Sequence, residues 1–191
     1  GKTEEALLAM LKDCGVLVCG NWVLKSPLAN FDGMEANARD VLLTMLNRKA
    51  GKLQTAEVIK WKSVFEQSVS VEALKEIVQG LMEEFKDQQV WRLKAETDQD
   101  FIRRYPQLVQ EYDSWLESRR VEVVKAGSTG ANAGAPSIAS RQAAGTRSRA
   151  KLMPEVREAL LSGPKTTEEL KRLLQRKHPT EEIREEDIST I

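Results

Sequence analysis

Residues 39–95 read RDVLLTMLNRKAGKLQTAEVIKWKSVFEQSVSVEALKEIVQGLMEEFKDQQVWRLKA. The stretch opens with a helical pattern whose apolar residues recur on one face: Val41, Leu42, Met45 and Leu46. Asn37 is the expected N-cap of this helix, because a short amide side chain can accept from the first free backbone N–H groups. Glycine is favoured just past a helix end, so the helix is predicted to stop by Gly51.

An extended piece and two further helices are predicted next. Residues 52–54 (KLQ) are too few for a strand unless another strand pairs with them, and Thr55 is the expected cap of a helix to about Phe65. One side of that helix carries Val58, Ile59, Lys62 and Phe65. Ser70 is expected to cap a third helix with a regular apolar stripe of Leu74, Ile77, Val78, Leu81, Met82 and Phe85.

Residues 86–89 (KDQQ) break the third helix, and residues 90–93 (VWRL) return as a strand. Helix, extended piece, two helices and an extended pair are the element order of a winged helix, a recognition module. We therefore expect residues 34–95 to be a complete winged helix. Its core is predicted to combine Leu74, Ile77, Val78, Leu81 and Phe85 with Val41, Leu42, Met45 and Ile59.

The first residues of the chain contain a helix and a hairpin. Residues 4–13 form an amphipathic pattern, and the runs VLVC and WVLK flank Gly20-Asn21, a two-residue turn of hairpin type. Pairing across that turn would place Cys19 opposite Trp22 and Leu17 opposite Leu24. A helix followed by a hairpin is the last half of a winged helix, so residues 1–28 are interpreted as the C-terminal half of one whose first half lies outside this chain.

Three segments are predicted after residue 95. Residues 96–125 are packing helices, with Asp98 as N-cap and Pro106 opening the longer one; Phe101, Ile102 and Trp115 are expected to pack back on the winged helix. Residues 126–152 are small and polar, which predicts a disordered basic linker. Residues 153–191 are interpreted as the start of a further winged helix, with Thr166 or Thr167 as a cap and a break at His178-Pro179. The fold class is thus mainly α with small β-hairpins (α+β), as tandem winged helices of which the first and last are incomplete.

A family resemblance rests on two patches of sequence. The first comprises Cys14, Leu17, Val18, Gly20, Asn21, Trp22, Val23, Lys25 and Ser26; the second comprises Ala38-Arg39-Asp40, Trp91 and the Phe101–Val109 pattern. Over roughly residues 8–120 the chain resembles the Sex-lethal-interactor-like family of RNA polymerase III subunits, the larger partners of a TFIIF-like heterodimer. The resemblance implies a C-terminal extension made of tandem winged helices, a nuclear location, and other RNA polymerase III subunits as partners.

Composition limits the chemistry. The 191 residues carry 29 basic and 29 acidic side chains, so global charge gives no reason to expect polyanion binding. The two cysteines, Cys14 and Cys19, are interpreted as reduced buried thiols, with a disulfide or metal pair as the alternative. A single histidine, His178, argues against zinc, and without a nucleophile set or phosphate loop we expect no enzyme activity, metal, cofactor or small-molecule substrate.

The predicted third helix decides between DNA and protein as the partner. Its expected exposed positions carry Glu72, Glu76, Glu83 and Glu84 against Lys75 and Gln79, and carboxylates near phosphates are repelled rather than releasing counterions. The sequence therefore predicts a non-catalytic scaffold for protein contacts. The alternatives are a winged-helix DNA-binding module and an unrelated helical adaptor.

The candidate contact residues fall into two groups. The candidate interface residues lie on the two predicted hairpins: Trp22, Lys25, Trp91 and Arg92. Each tryptophan is either a core residue or, if exposed, an interface anchor. The candidates for weak, non-specific nucleic-acid contact lie in the predicted linker: Arg141, Arg147, Arg149 and Lys151.

Overall fold

The computed structural model of the chain describes residues 2–129 and 147–177. The chain begins with helix α1 (Lys2–Cys14) and a hairpin of β1 (Gly15–Val18) and β2 (Asn21–Leu24). Every residue of both strands is buried, so the hairpin is a core element rather than a surface flap. Gly15 is required at the junction, because a Cβ there would lie 2.8 Å from a ring carbon of Trp22 and 2.9 Å from the carbonyl oxygen of Leu11.

The hairpin turn differs from the predicted one by one residue. Cys19 (φ 53°) and Gly20 (φ 79°) form the turn, and Asn21 is the first residue of β2. Two consecutive positive φ values are typical of a type I′ turn, whose twist matches that of the strands. The observed pairs are Val18 with Asn21 and Leu17 with Trp22, so the predicted Cys19–Trp22 and Leu17–Leu24 pairs are wrong. The buried Asn21 amide donates to the Glu96 carbonyl at 2.8 Å, which draws Asn21 out of the turn and into the strand.

The central segment contains three helices and three strands: α2 (Gly33–Arg48), β3 (Lys52–Gln54), α3 (Thr55–Phe65), α4 (Val71–Leu81), β4 (Met82–Phe85) and β5 (Val90–Leu93). The strands form an antiparallel sheet in the order β3-β5-β4, so β5 is central and the short β3 has the partner it needs. The predicted Ser70 cap is confirmed, because Ser70 Oγ accepts from Ala73 N at 3.1 Å.

Two other predicted caps are wrong. Helix α2 begins four residues before Asn37 and has Asp32 at its N-cap position. Helix α3 is capped by Gln54 rather than Thr55, in a capping box with Glu57, whose carboxylate accepts from Gln54 N at 2.9 Å. The Glu57 carboxyl gains this backbone bond only as the base, which lowers its pKa.

The predicted core is correct for α2 and α4 and wrong at two positions. Leu74, Ile77, Val78, Leu81 and Leu42 are buried, and Val41 and Met45 pack against them half-buried, whereas Ile59 is 61% exposed and Phe85 is 37% exposed. Helix α4 ends at Leu81, so Phe85 lies on β4 instead of on the helical stripe. On α3 the buried face is Val58, Trp61 and Phe65, and Trp61 Nε1 donates to the Ala38 carbonyl at 3.0 Å.

Four helices complete the described fold: α5 (Gln99–Arg104), α6 (Pro106–Thr129), α7 (Arg147–Leu161) and α8 (Thr167–Lys177). Asp98 caps α5 as predicted, with Oδ1 accepting from Phe101 N at 2.8 Å. Thr166 and Glu169 form a capping box at α8, so of the two predicted caps Thr166 is the correct one. Pro154, predicted in a first turn, lies inside α7, which begins seven residues earlier.

The helices on either side of the predicted linker extend into it. Helix α6 ends at Thr129 and α7 begins at Arg147, so the linker prediction applies only to residues 130–146, which lie outside the described residues together with residues 178–191. The break at His178-Pro179 falls in the latter range. The division of the chain into tandem domains stays a prediction.

The helix pair α7–α8 packs on the N-terminal elements. Helix α7 contacts both α1 and β2. Lys165, between the two helices, forms an antiparallel β-bridge with Trp22. The segments 1–28 and 153–191, which the sequence assigned to different domains, therefore meet in one layer.

Candidate interaction site

Trp22 lies at the centre of the N-terminal layer. Its side chain has no exposed surface. Its ring meets those of Phe101 and Tyr112 edge-on, with centroids 6.2 and 5.6 Å away. Its Nε1 donates to Thr167 Oγ1 on α8 at 3.1 Å, so the one polar atom of the ring is satisfied without water. Of the two alternatives for Trp22, this geometry favours a core residue over an exposed anchor.

Lys25 follows β2 and terminates α1. Its Nζ donates to the carbonyl oxygens of Lys12 and Asp13, both at 2.8 Å. These are among the last carbonyls of the helix, which have no partner within it, so the ammonium caps the negative end of the helix dipole. Burial lowers the pKa of Lys25. Lys25 is therefore occupied by an intramolecular role.

Trp91 and Arg92 occupy the central strand β5, and their side chains point to opposite faces of the sheet. Trp91 is half-buried and packs against the core, opposite Leu53 on β3 and Glu84 on β4. Arg92 lies on the outer face, where its guanidinium carbon is 4.5 Å from the centroid of the Phe85 ring. Its Nη2 also donates to Gln88 Oε1. Strand alternation places Lys52, Glu83, Phe85 and Arg92 on this face, which we call the outer sheet face.

The outer sheet face combines exposed apolar area with charges of both signs. Phe85 is 37% exposed and is held by the cation–π contact with Arg92. Strand β4 is the last strand of the sheet, so its outer backbone groups pair with no other described strand. Glu83 and Glu84, predicted on the third helix, lie on β4 instead and are exposed there. An aromatic side chain beside an open strand edge is the usual composition of a protein-binding surface.

The exposed face of α4 is acidic at its start. Glu72 and Glu76 are exposed, together with Lys75 and Gln79. Moving Glu83 and Glu84 to the sheet spreads the negative charge over the helix and the hairpin, so both elements that would approach a nucleic acid carry carboxylates. That distribution disfavours phosphate contact.

The candidate nucleic-acid residues are divided by the limits of the described structure. Arg141 lies outside the described residues. Arg147, Arg149 and Lys151 lie in the first turns of α7, so their backbone is helical rather than part of a linker.

A buried polar network, missed as such by sequence reasoning, links the central segment to α6. Arg119 on α6 donates to Asp40 Oδ2 from Nε and Nη2, both at 3.2 Å, and Asp40 Oδ1 accepts from Ser26 Oγ at 2.6 Å. Arg39 Nη1 donates to Ser26 Oγ at 2.9 Å, and burial lowers the pKa of Arg39 to about 10. Arg39 and Asp40 belong to the triplet noted in the family resemblance, and that triplet is the one signal in the sequence that points to the network.

A second polar cluster joins α1, α5 and α8. Glu4 accepts from Tyr105 Oη at 2.8 Å and pairs with Lys171 Nζ at 3.0 Å. Burial opposes ionisation of Glu4, but the bonds from Lys171 and Tyr105 with the charges of Lys171 and Arg104 outweigh it and lower its pKa. Burial likewise opposes the charge of Lys171, and its bonds to Glu4 and Glu168 still raise its pKa.

Other chemistries find little support in residues 2–129 and 147–177. No cluster of three or more His, Cys, Asp or Glu side chains in these ranges could hold a metal ion. Within the same ranges no helix has the length and apolarity needed to cross a bilayer. Cys14 and Cys19 are buried and free, and burial raises the pKa of each thiol to about 11, so both are protonated at neutral pH.

Comparison with known proteins gives one match. A protein-family model described as RPC5 protein matches residues 1–125, which include every element from α1 to most of α6. No curated protein matches the chain.

Proposed function

The chain belongs to the RPC5 protein family, that of the C5 subunit of RNA polymerase III, and we propose that it serves there as a non-catalytic scaffold for protein–protein contacts. Its partners would be other subunits of the same polymerase, and its location the nucleus, as for a subunit of this enzyme. The observation that carries the proposal is an outer sheet face exposed beside an open strand edge in a member of a polymerase-subunit family.

Residues 33–93 are proposed to be a winged helix. The order α2-β3-α3-α4-β4-β5 and the sheet order β3-β5-β4 support this, because the strand between the first two helices pairs with the last strand of the hairpin. In that arrangement β4 and β5 are the wing and α4 is the helix that nucleic-acid-binding members insert into the major groove. The division into tandem units, with residues 96–125 as packing helices, belongs to the same proposal.

The wing is the proposed contact surface. Phe85 and Arg92 form its exposed centre, and a partner strand or helix could cover the edge of β4. Trp91 supports this surface from beneath, whereas Trp22 and Lys25 are engaged inside the molecule. The interface role proposed for the four candidate residues is therefore concentrated on Trp91 and Arg92.

A pull-down from nuclear extract tests the scaffold. The tagged chain is expected to recover RNA polymerase III subunits, identified by peptide mass spectrometry, and F85A/R92A is expected to reduce recovery several-fold with an unchanged melting temperature. The matched control is I59A/V64A, which removes two exposed apolar side chains from α3. Equal recovery by both variants would move the contact away from the wing, and absence of polymerase subunits with the unmodified chain would reject the scaffold itself.

DNA contact is proposed only as a weak, non-specific accessory. The cations available for it are Arg141, Arg147, Arg149 and Lys151, and the carboxylates on α4 and β4 oppose groove reading. Binding of the chain to duplex DNA should therefore weaken steeply with salt and vary little with base sequence. A sequence-selective complex at physiological salt that survives R141A/R147A/R149A/K151A would favour the DNA-binding alternative.

A further inference from the structure

The two ends of the described structure together repeat the arrangement of the central segment. Reading α7, Lys165, α8, α1, β1 and β2 in that order gives helix, bridge residue, two helices and a hairpin, the same sequence of elements as in residues 33–93. We call this assembly the composite unit. It is built from two stretches, residues 2–24 and 147–177, that are separated by more than a hundred residues of chain.

The match extends to individual residue positions. Trp22 and Trp91 are each the second residue of the last strand in their unit. Lys165 pairs with Trp22 through two backbone bonds of 2.8 and 3.0 Å, as Leu53 pairs with Trp91. The helix pair α7–α8 thus supplies to the hairpin what α2, β3 and α3 supply in the contiguous unit.

The contact between the two stretches has the composition of a domain core. Val156 and Leu170 have no exposed surface, and Leu160 is 3% exposed. Thr167 is also fully buried and accepts from Trp22 Nε1. At the rim, Lys171 pairs with Glu4 at 3.0 Å and Glu168 lies 3.8 Å from Arg104. No disulfide joins the two stretches, because both cysteines are free.

We propose that α7–α8 is an exchangeable half of the composite unit, and that the surface formed by α1 and β2 accepts α7–α8 of a second copy of this chain. A reciprocal exchange reproduces every contact described above in both copies, so it changes no local interaction. The helix pair is attached to α6 only through residues 130–146, whose glycine- and alanine-rich sequence can serve as the hinge. Domain swapping of an identical element is a low-cost route to a dimer under these conditions.

Protein concentration decides between the closed monomer and the exchanged dimer. A short flexible tether gives the helix pair an effective concentration on the order of millimolar at its own hairpin. The monomer is therefore expected in dilute solution, and the dimer should appear when the full chain is refolded near about 1 mM. Glu4 and Lys171 provide a way to direct the exchange, since they face each other across the contact.

The test mixes two full-length variants, E4K and K171E. In either closed monomer, and in either homodimer, residues 4 and 171 carry like charges; in the mixed dimer one junction regains opposite charges in their original positions and the other joins the two reversed residues, which are also opposite. Co-refolding an equimolar mixture at high concentration should give mixed dimers at least several-fold above the statistical share, measured by native mass spectrometry with one variant isotope-labelled. The doubly reversed E4K/K171E chain, which restores opposite charges within one copy, should remain monomeric when dilute and controls for loss of folding.

Two results would overturn the proposal. The first is a chain that remains monomeric after refolding at the highest concentration, with both variants folded by circular dichroism. The second is a dimer whose mixed fraction stays statistical, because that dimer would form through a surface other than α1, β2 and α8. Neither result bears on polymerase association, so failure here would leave the scaffold proposal to its own pull-down test.

Discussion

The contiguous unit of residues 33–93 and the composite unit present the same strand position in opposite environments. Trp91 is half-buried beside an outer sheet face, whereas Trp22 is sealed by Phe101, Tyr112 and Thr167. The residue type and the strand position are equal, so the difference comes from the elements that cover the hairpin. Helix α5 and helix α6 pack on the composite unit, while the corresponding side of the contiguous unit is left open.

The largest expected effect separates the two tryptophans. Trp22→Ala should reduce the free energy of unfolding by about 3–5 kcal/mol, because it removes a fully buried indole and leaves Thr167 without its donor. Trp91→Ala should cost less than half as much, since part of its ring already contacts water. Urea unfolding followed by circular dichroism measures both, and equal losses would mean that the two units pack alike.

A slightly smaller effect tests the core of the contiguous unit. Leu81→Ala on α4 should cost about 2–5 kcal/mol, because Leu81 is 3% exposed in a packed core. Ile59→Ala is the matched control and should stay within about 0.5 kcal/mol, since Ile59 is 61% exposed. If the two variants unfolded at the same urea concentration, the burial assigned to α3 and α4 would be wrong.

The smallest effect concerns the pH dependence of the composite unit. The folded-state pKa of Glu4 is lowered, so its contribution is present above the unfolded value, about 4.3, and is lost as pH falls through the folded value. Glu4→Gln should therefore flatten the decline of stability below about pH 5, by less than about 1 kcal/mol for a pair at the rim of the contact. Melting temperatures between about pH 3 and 7 measure this, with Glu76→Gln on the exposed face of α4 as control.

At the other end of the pH scale the sign reverses. The pKa of Lys171 is raised, so its contribution is complete below the unfolded value of about 10.4 and is lost as pH rises through the folded value. A variant with Lys171→Met should lose the alkaline part of the pH dependence and keep part of the acid one, because Glu4 also accepts from Tyr105. Identical pH profiles for wild type and both variants would exclude the pair as a source of stability.

Sequence reasoning succeeded where a local pattern determines the structure. Apolar spacing identified the buried face of α4, and Ser70, Asp98 and Thr166 were found as caps because capping depends on a few neighbouring residues. It failed at the α4–β4 boundary, since Phe85 continues the helical spacing although β5 pairs with its backbone. It also misplaced the first turn, where a distant carbonyl, that of Glu96, decides the position of Asn21.

The candidate site was only partly accessible from sequence. Trp91 and Arg92 were identified on the right strand, but the outer sheet face depends on the register between β4 and β5, which no local pattern specifies. The composite unit could not be predicted, because its halves lie far apart in the chain and each has the pattern of an incomplete module. The Arg119–Asp40 contact has the same origin, with its partners on separate helices.

The order of segments in the composite unit has a consequence for synthesis of the chain. The ribosome makes α1 and the hairpin first, and more than a hundred further residues must be translated before α7–α8 exists. At ordinary translation rates that interval is on the order of ten seconds. During this time the apolar side of the hairpin that α7–α8 will cover has no covering helices from its own chain. The contiguous unit can fold as it emerges, whereas the composite unit depends on protection, by a chaperone or a neighbouring protein of the complex, until its second half arrives.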